Sequence, residues 1–487
     1  MKTAIVVFVL MIGAYFYLIA GQTLFPFVDL PNHLAEATIY QQSSDPVLSR
    51  FYQIEKGINP NSFHYLFCSL FDSVETGNKI YYLLYLLLVP ASTLLVIRQL
   101  GGNWKFSFLT LLLIFNYNVS FGFAGFTMAV PFVLIAFYLA CINKTWSQVA
   151  LAFILLLLFF IHILGLLFTL FLLVALGAFQ FKGIKPFLIR IIVIVPALVV
   201  TGIWYSHTFT AEQSTLAFLI DYYSNSYFQE LYLRSKILVY DNFVLAGGYA
   251  GIIIALLFAT AITLPVAWKL LSKKLTIPSL KEFVLQHKES TAFLFVSLTC
   301  CFFLPDELPG QGILYQRFSV FLFVSLIVTG SLLYKSSISL PFQITGLVII
   351  IIHLSLWADY LYQFDKENNS FNSSLFTAVS PEEVMGGAII DYQYRGRPVY
   401  IHFPNYNIIW NHGVTTTRII DYRFGSIRRK VDTSVLPEYQ EWTGQKAEIP
   451  KEYATLKFLL LKGEAGNLPE NAVQLAGGGN WKVMKMK

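Results

Sequence analysis

The feature that most constrains this chain is a succession of apolar runs, most of them near the length needed to cross a bilayer. At 1.5 Å of rise per residue, a hydrocarbon core about 30 Å thick takes about 20 residues of helix. Such runs fall near 4–20, 79–97, 106–119, 124–142, 147–161, 163–180, 187–205, 243–268, 291–304, 313–334 and 340–357. Charged residues make up 13% of the chain, about half of what a soluble protein carries. The pattern predicts an α-helical polytopic membrane protein of about eleven transmembrane helices.

Lys and Arg set the orientation. With Lys2 inside, the basic residues Arg98, Lys105, Lys144, Lys185, Lys288 and Lys335 also fall inside. The opposite loops, though longer, carry few. The N-terminus is therefore expected on the cytoplasmic side. Residues 1–21 could be read as a signal peptide, but no A-x-A-like site follows, and retention as the first span is expected. The 147–180 stretch is too long for one span. His162 at its centre would be costly at mid-bilayer, so a helix break is expected near Phe160–Ile163.

The chain divides at 357. A long outer loop, 22–78, carries short helical patterns at Leu34–Gln41 and Ser62–Phe71, and a second, 206–242, is rich in Tyr, Ser and Asn. From 358 to 487 the composition turns polar. Alternation at Pro398–Phe403, Leu456–Lys462, Ala472–Leu475 and Trp481–Met486 predicts strands of a small C-terminal α/β extracytoplasmic domain. The four cysteines suggest neither a disulfide nor a metal-thiolate site. No nucleic-acid footprint is present.

The sharpest local feature is Phe27-Val28-Asp29-Leu30-Pro31-Asn32-His33, directly after the first span. Pro31 biases Leu30 toward an extended conformation and suits the first turn of a helix. Asp29 would then sit at the lip of the membrane before a helix N-terminus. There it could take a proton from a hydroxyl or hold a divalent cation such as Mg²⁺ or Mn²⁺. His33, one turn on, could orient it, bind substrate or share the metal. The plain alternative is that Asp29 caps the helix, worth ~1 kcal/mol.

A first span, a long outer loop opening on an acid, many later spans and a soluble C-terminal domain resemble the GT-C class of membrane glycosyltransferases. Asp29-Leu30-Pro31-Asn32-His33-Leu34-Ala35 is similar to a D-x-P-N-H-L-A signature of bacterial membrane proteins of this type. Phe121-Gly122-Phe123 and His162 look like further features of that group. The resemblance implies a polyprenyl-phosphate-linked sugar as donor and Asp29 as the catalytic acid of the first outer loop. Paired acids such as D-x-D are absent, since no acidic neighbour follows until Glu36. That weakens bidentate metal binding and leaves a general base intact.

Arg317 opens the tenth apolar run, and its planar fork suits a lipid phosphate, with Asp306 and Glu307 as alternative partners. Arg234 and Lys236 are weaker phosphate candidates, more easily read as solvated. His162 is a substrate-binding candidate or a buried, hydrogen-bonded histidine. Asp391, His402, His412, Arg418, Asp421, Arg423, Arg428 and Arg429 crowd the C-terminal domain without metal-ligand spacing; acceptor docking or structural support is the expectation there. The leading expectation is a glycosyltransferase acting on a glycan, lipid or protein acceptor among membrane lipids, with Asp29 as base and Arg317 on the leaving phosphate. The alternatives are a transporter or flippase for a lipid-linked solute, and a non-catalytic scaffold.

Overall fold

The computed structural model describes residues 2–55, 57–180, 184–208, 219–228, 230–231, 234, 238, 242–243, 248–272, 277–307, 312–335, 338–416, 425–430, 449, 451–470 and 472–486. Two compact units result, one of 1–17, 83–119 and 125–356, the other of 18–82, 120–124 and 357–487.

The first unit is helical. Among the described residues, five helices are long and apolar enough to cross a membrane, including Ala124–Ile142, Tyr315–Leu333 and Leu340–Glu367; shorter apolar helices include Thr145–Ile161 and Ile163–Phe179. The expected break falls at His162, whose extended backbone ends one helix and starts the next. The run at 106–119 differs from expectation. It is a 3₁₀ helix, Trp104–Leu113, followed by the short helix Tyr117–Ser120. The Ser107 and Thr110 hydroxyls donate to the carbonyls of Trp104 (2.8 Å) and Ser107 (2.6 Å), three residues back, contacts that suit the tighter winding.

The second unit joins helix and sheet. Leu30–Gln41 and Phe63–Cys68 are helices, as the patterns in the 22–78 segment predict. A five-stranded sheet runs in the order β3 (Val414–Thr415), β2 (Val384–Ile389), β5 (Phe458–Lys462), β7 (Trp481–Lys485), β6 (Val473–Gly478). β2 is parallel to β3 and β5, while β7 is antiparallel to β5 and β6. A separate ribbon pairs β1 (Tyr52–Ile54) antiparallel with β4 (Ile427–Arg429). The strand expected at Pro398–Phe403 is absent, and the segment is turns leading into a 3₁₀ turn, Phe403–Asn405. Its alternating residues are buried for another reason. Tyr400 and Phe403 enter an aromatic cluster in which Phe403 stacks on Trp481 with centroids 5.3 Å apart, and the Tyr400 hydroxyl donates to Glu367 at 2.8 Å.

Candidate functional site

Asp29 and Asp45 both stand just before a proline-containing helix, and the comparison separates capping from everything else a carboxylate can do. Asp45 is extended (φ −60°, ψ 131°), and its side chain accepts from Val47 N and Leu48 N at 2.9 and 3.0 Å. Burial would raise its carboxyl; the two backbone N–H groups, with His412, outweigh that and hold it below the usual range. Asp29 is helical instead (φ −87°, ψ −5°) and makes no cap hydrogen bond. A capping side chain reaches the first-turn N–H groups from an extended backbone, so the conformation of Asp29 leaves its carboxylate for other work. Leu30 is correspondingly the first residue of the helix rather than extended, with Pro31 in the first turn.

The loop 120–124 sets that conformation. Val28 N donates to Ser120 O at 3.2 Å and Asp29 N to Phe121 O at 2.9 Å. Gly122 has φ +76°, and a Cβ there would lie 2.8 Å from Asp29 N and 2.6 Å from Leu30 N. Only glycine allows the approach. Phe121-Gly122-Phe123, which the sequence offers as a feature of a group rather than as site residues, thus shapes the backbone under Asp29.

The partner of Asp29 comes from the C-terminal segment. His402 Nε2 lies 3.3 Å from Asp29 Oδ1; the histidine side chain is 2% exposed and the aspartate 29%. One carboxylate oxygen is therefore held by a buried imidazole while the group keeps an opening to its surroundings. His402 is held in turn by its neighbours. Tyr400 and Phe403 are buried in the aromatic cluster, and a Cβ at Gly387 on β2 would run into the Pro404 ring.

Two turns of like sequence face each other here. Asp29-Leu30-Pro31-Asn32 and His402-Phe403-Pro404-Asn405 each close with the fourth N–H on the first carbonyl, at 3.0 and 3.1 Å. Their first residues form the Asp29–His402 pair, and their fourth residues are joined by a hydrogen bond from Asn405 Nδ2 to Asn32 Oδ1. Thr415 on β3 donates to Asn405 Oδ1 at 3.1 Å. Sequence reasoning assigns His402 to acceptor docking or structural support without linking it to Asp29; the structure sets it against that carboxylate. The repeated x-Pro-Asn turn is the signal that links the two.

His33, offered by the sequence as the orienting histidine, has its Nδ1 3.3 Å from Glu36 Oε2 and its ring edge-on to His64, centroids 5.6 Å apart. Burial, together with the charge of His33, pushes His64 down to about 3. His64 Nε2 meets Asn78 Oδ1 at 3.1 Å. Among the described residues no group of three or more His, Cys, Asp and Glu side chains could hold a metal ion, and Asp29 faces a histidine where a two-acid metal site would have a second carboxylate.

Three further sequence candidates, His162, Arg317 and Arg234, belong to the first unit. His162 is buried, its Nδ1 accepting from Leu164 N at 3.2 Å, so that nitrogen caps the second half of the broken helix pair. Arg317 is half-buried, with Nε donating to Ile313 O at 2.9 Å. Asp306, suggested as its partner, accepts from Gln316 Nε2 at 2.6 Å. Arg234 is not solvated: fully buried, it lies 4.2 Å over the Tyr315 ring, pairs with Glu230 at 3.3 Å and donates to Tyr222 and to the Phe302 carbonyl. Around the C-terminal sheet, Asp391 pairs with buried Lys462 at 2.7 Å, Arg428 with Glu55 at 3.0 Å and His412 with Asp45 at 3.3 Å. Lys236, Arg418, Asp421 and Arg423 lie outside the described residues.

No protein-family model matches the chain, and no curated protein does. Solved structures do. The chain is similar to ArnT from Cupriavidus metallidurans bound to undecaprenyl phosphate, with a TM-score of 0.56 at 10% identity, covering 99% of this chain and 97% of that one. The apo state of ArnT gives 0.56 at 11% identity, covering 99% and 98%. At that identity the likeness establishes the fold: this is a polytopic helical membrane protein of ArnT-like architecture with a small β-sheet-containing C-terminal region.

Proposed function

We propose that this protein is a GT-C glycosyltransferase that moves a sugar from a polyprenyl-phosphate donor to a hydroxyl of a glycan, lipid or protein acceptor on the periplasmic face of the membrane. Asp29 is the base. The acceptor oxygen attacks the anomeric carbon while the bond from that carbon to the phosphate oxygen breaks. The bonding pair leaves on the phosphate, and the hydroxyl proton passes to Asp29. His402 holds Oδ1 and so aims the other carboxylate oxygen at the alcohol. It is a positioning residue. For the donor phosphate the candidate is Arg317, on side-chain chemistry alone.

One observation carries the reading: an aspartate at a helix start that does no capping, paired with a buried histidine yet still open. The fold shared with a protein crystallised with undecaprenyl phosphate supports the choice of donor. The test is made in detergent, where no compartments exist. A panel of radiolabelled sugars on undecaprenyl phosphate is incubated with the purified chain and acceptor extracts. The enzyme cleaves a donor and releases the polyprenyl phosphate, whereas a carrier leaves every donor intact.

A further inference from the structure

Within the first unit an apolar cavity of about 390 Å³ lies between the helices Lys2–Gly21 and Leu340–Glu367, floored by the 3₁₀ helix Trp104–Leu113. That size falls in the ~300–1,000 Å³ range of ligand pockets. The flanking helices leave Val6, Val9, Leu10, Ile344 and Val348 exposed, as lipid-facing surfaces do. The floor is unusual. It holds 10 residues of 3₁₀ winding, where runs beyond about three or four are uncommon. Side chains three apart eclipse in such a helix. Lys105, Phe108 and Leu111 therefore stand in one column and Phe106 and Leu109 in the next, and all of them line the cavity. The winding puts a single cation at the head of an apolar column about 12 Å long, at ~2.0 Å of rise per residue.

The cation is incompletely used. Lys105 Nζ donates to Gln343 Oε1 at 2.8 Å, and Gln343 is fixed by donating to Ile338 O, also at 2.8 Å. An ammonium has three donors, and among the described residues no carboxylate pairs with this one. We propose that the cavity binds one acyl chain of an anionic phospholipid, with the headgroup phosphate on Lys105. Charge selects the occupant: a lysine near the membrane surface favours a net-anionic lipid by about fivefold. The site is independent of the reaction proposed above.

The test is native mass spectrometry of the full chain from membranes of equal palmitoyl-oleoyl phosphatidylglycerol and phosphatidylethanolamine. Wild type is expected to retain phosphatidylglycerol preferentially. Lys105→Gln should lower that preference about fivefold, and Lys105→Arg should keep it. Gly346→Phe grows a ring into the cavity, where a Cβ meets only Leu109 at 4.0 Å; it should cost one retained lipid while elution and melting stay as in wild type. An unchanged lipid count in Gly346→Phe overturns the site. An unchanged headgroup preference in Lys105→Gln overturns the choice of an anionic lipid.

Discussion

Asp29 and Asp45 show how far a residue's chemistry depends on two backbone angles. The same side chain, each time with a proline one or two residues on, caps a helix from an extended backbone and cannot from a helical one. Outside the membrane-spanning helices, the protonation of buried His64 bears on stability. Its folded value lies near 3, held down by burial and by His33, against about 6.5 unfolded. Between those values the unfolded chain binds a proton that the folded one refuses, so stability is full above about pH 6.5 and falls as pH drops toward 3. Each unit of pH across that window costs about 1.4 kcal/mol. Denaturant unfolding in detergent at pH 7 and pH 4.5 should show His64→Gln losing clearly less stability than wild type on acidification. Equal losses would mean that His64 takes up its proton alike in the folded and unfolded chains, contradicting this reading.

At the level of elements, the turn that carries Asp29 is built from short pieces distant in sequence. The helix Leu30–Gln41 starts where it does because the 120–124 loop takes up the N–H groups of Val28 and Asp29, and Gly122 lets that loop come close. Gly122→Ala forces a left-handed backbone on alanine, costing about 1–3 kcal/mol, and drives its methyl into the Asp29 amide. Sugar transfer should fall at least tenfold with more of the folded protein retained than activity; transfer at the wild-type rate would show that the loop does not shape the site. The place of Asp29 in the candidate site was legible in sequence, since it precedes a proline turn directly after an apolar run. His402 was not, because nothing local distinguishes it from other charged residues of the C-terminal segment, and the matching x-Pro-Asn turns acquire meaning only when they face each other. The strand expected at Pro398–Phe403 failed on the same ground: ring packing, rather than a ladder, buries its alternate residues. β2 went unread because Gly386 and Gly387 interrupt its pattern, their missing side chains making room for Tyr453, Leu456 and Pro404.

For the whole molecule, periodicity and run length carry the membrane class and most of the long apolar helices among the described residues, including the break at His162. They do not distinguish α from 3₁₀ winding, so the 106–119 run looked like an ordinary span. What they leave unspecified is which soluble segments assemble, and the unit formed by 18–82, 120–124 and 357–487 is a product of tertiary pairing. The central claim is that this unit presents Asp29 as a base held by His402. It is tested most directly by the single-turnover rate of sugar transfer from a saturating polyprenyl-phosphate donor. Asp29→Asn should abolish transfer while still binding donor, and His402→Ala should lower the rate roughly 10–100-fold, with partial recovery in His402→Gln. Transfer by Asp29→Asn at close to the wild-type rate would contradict the account.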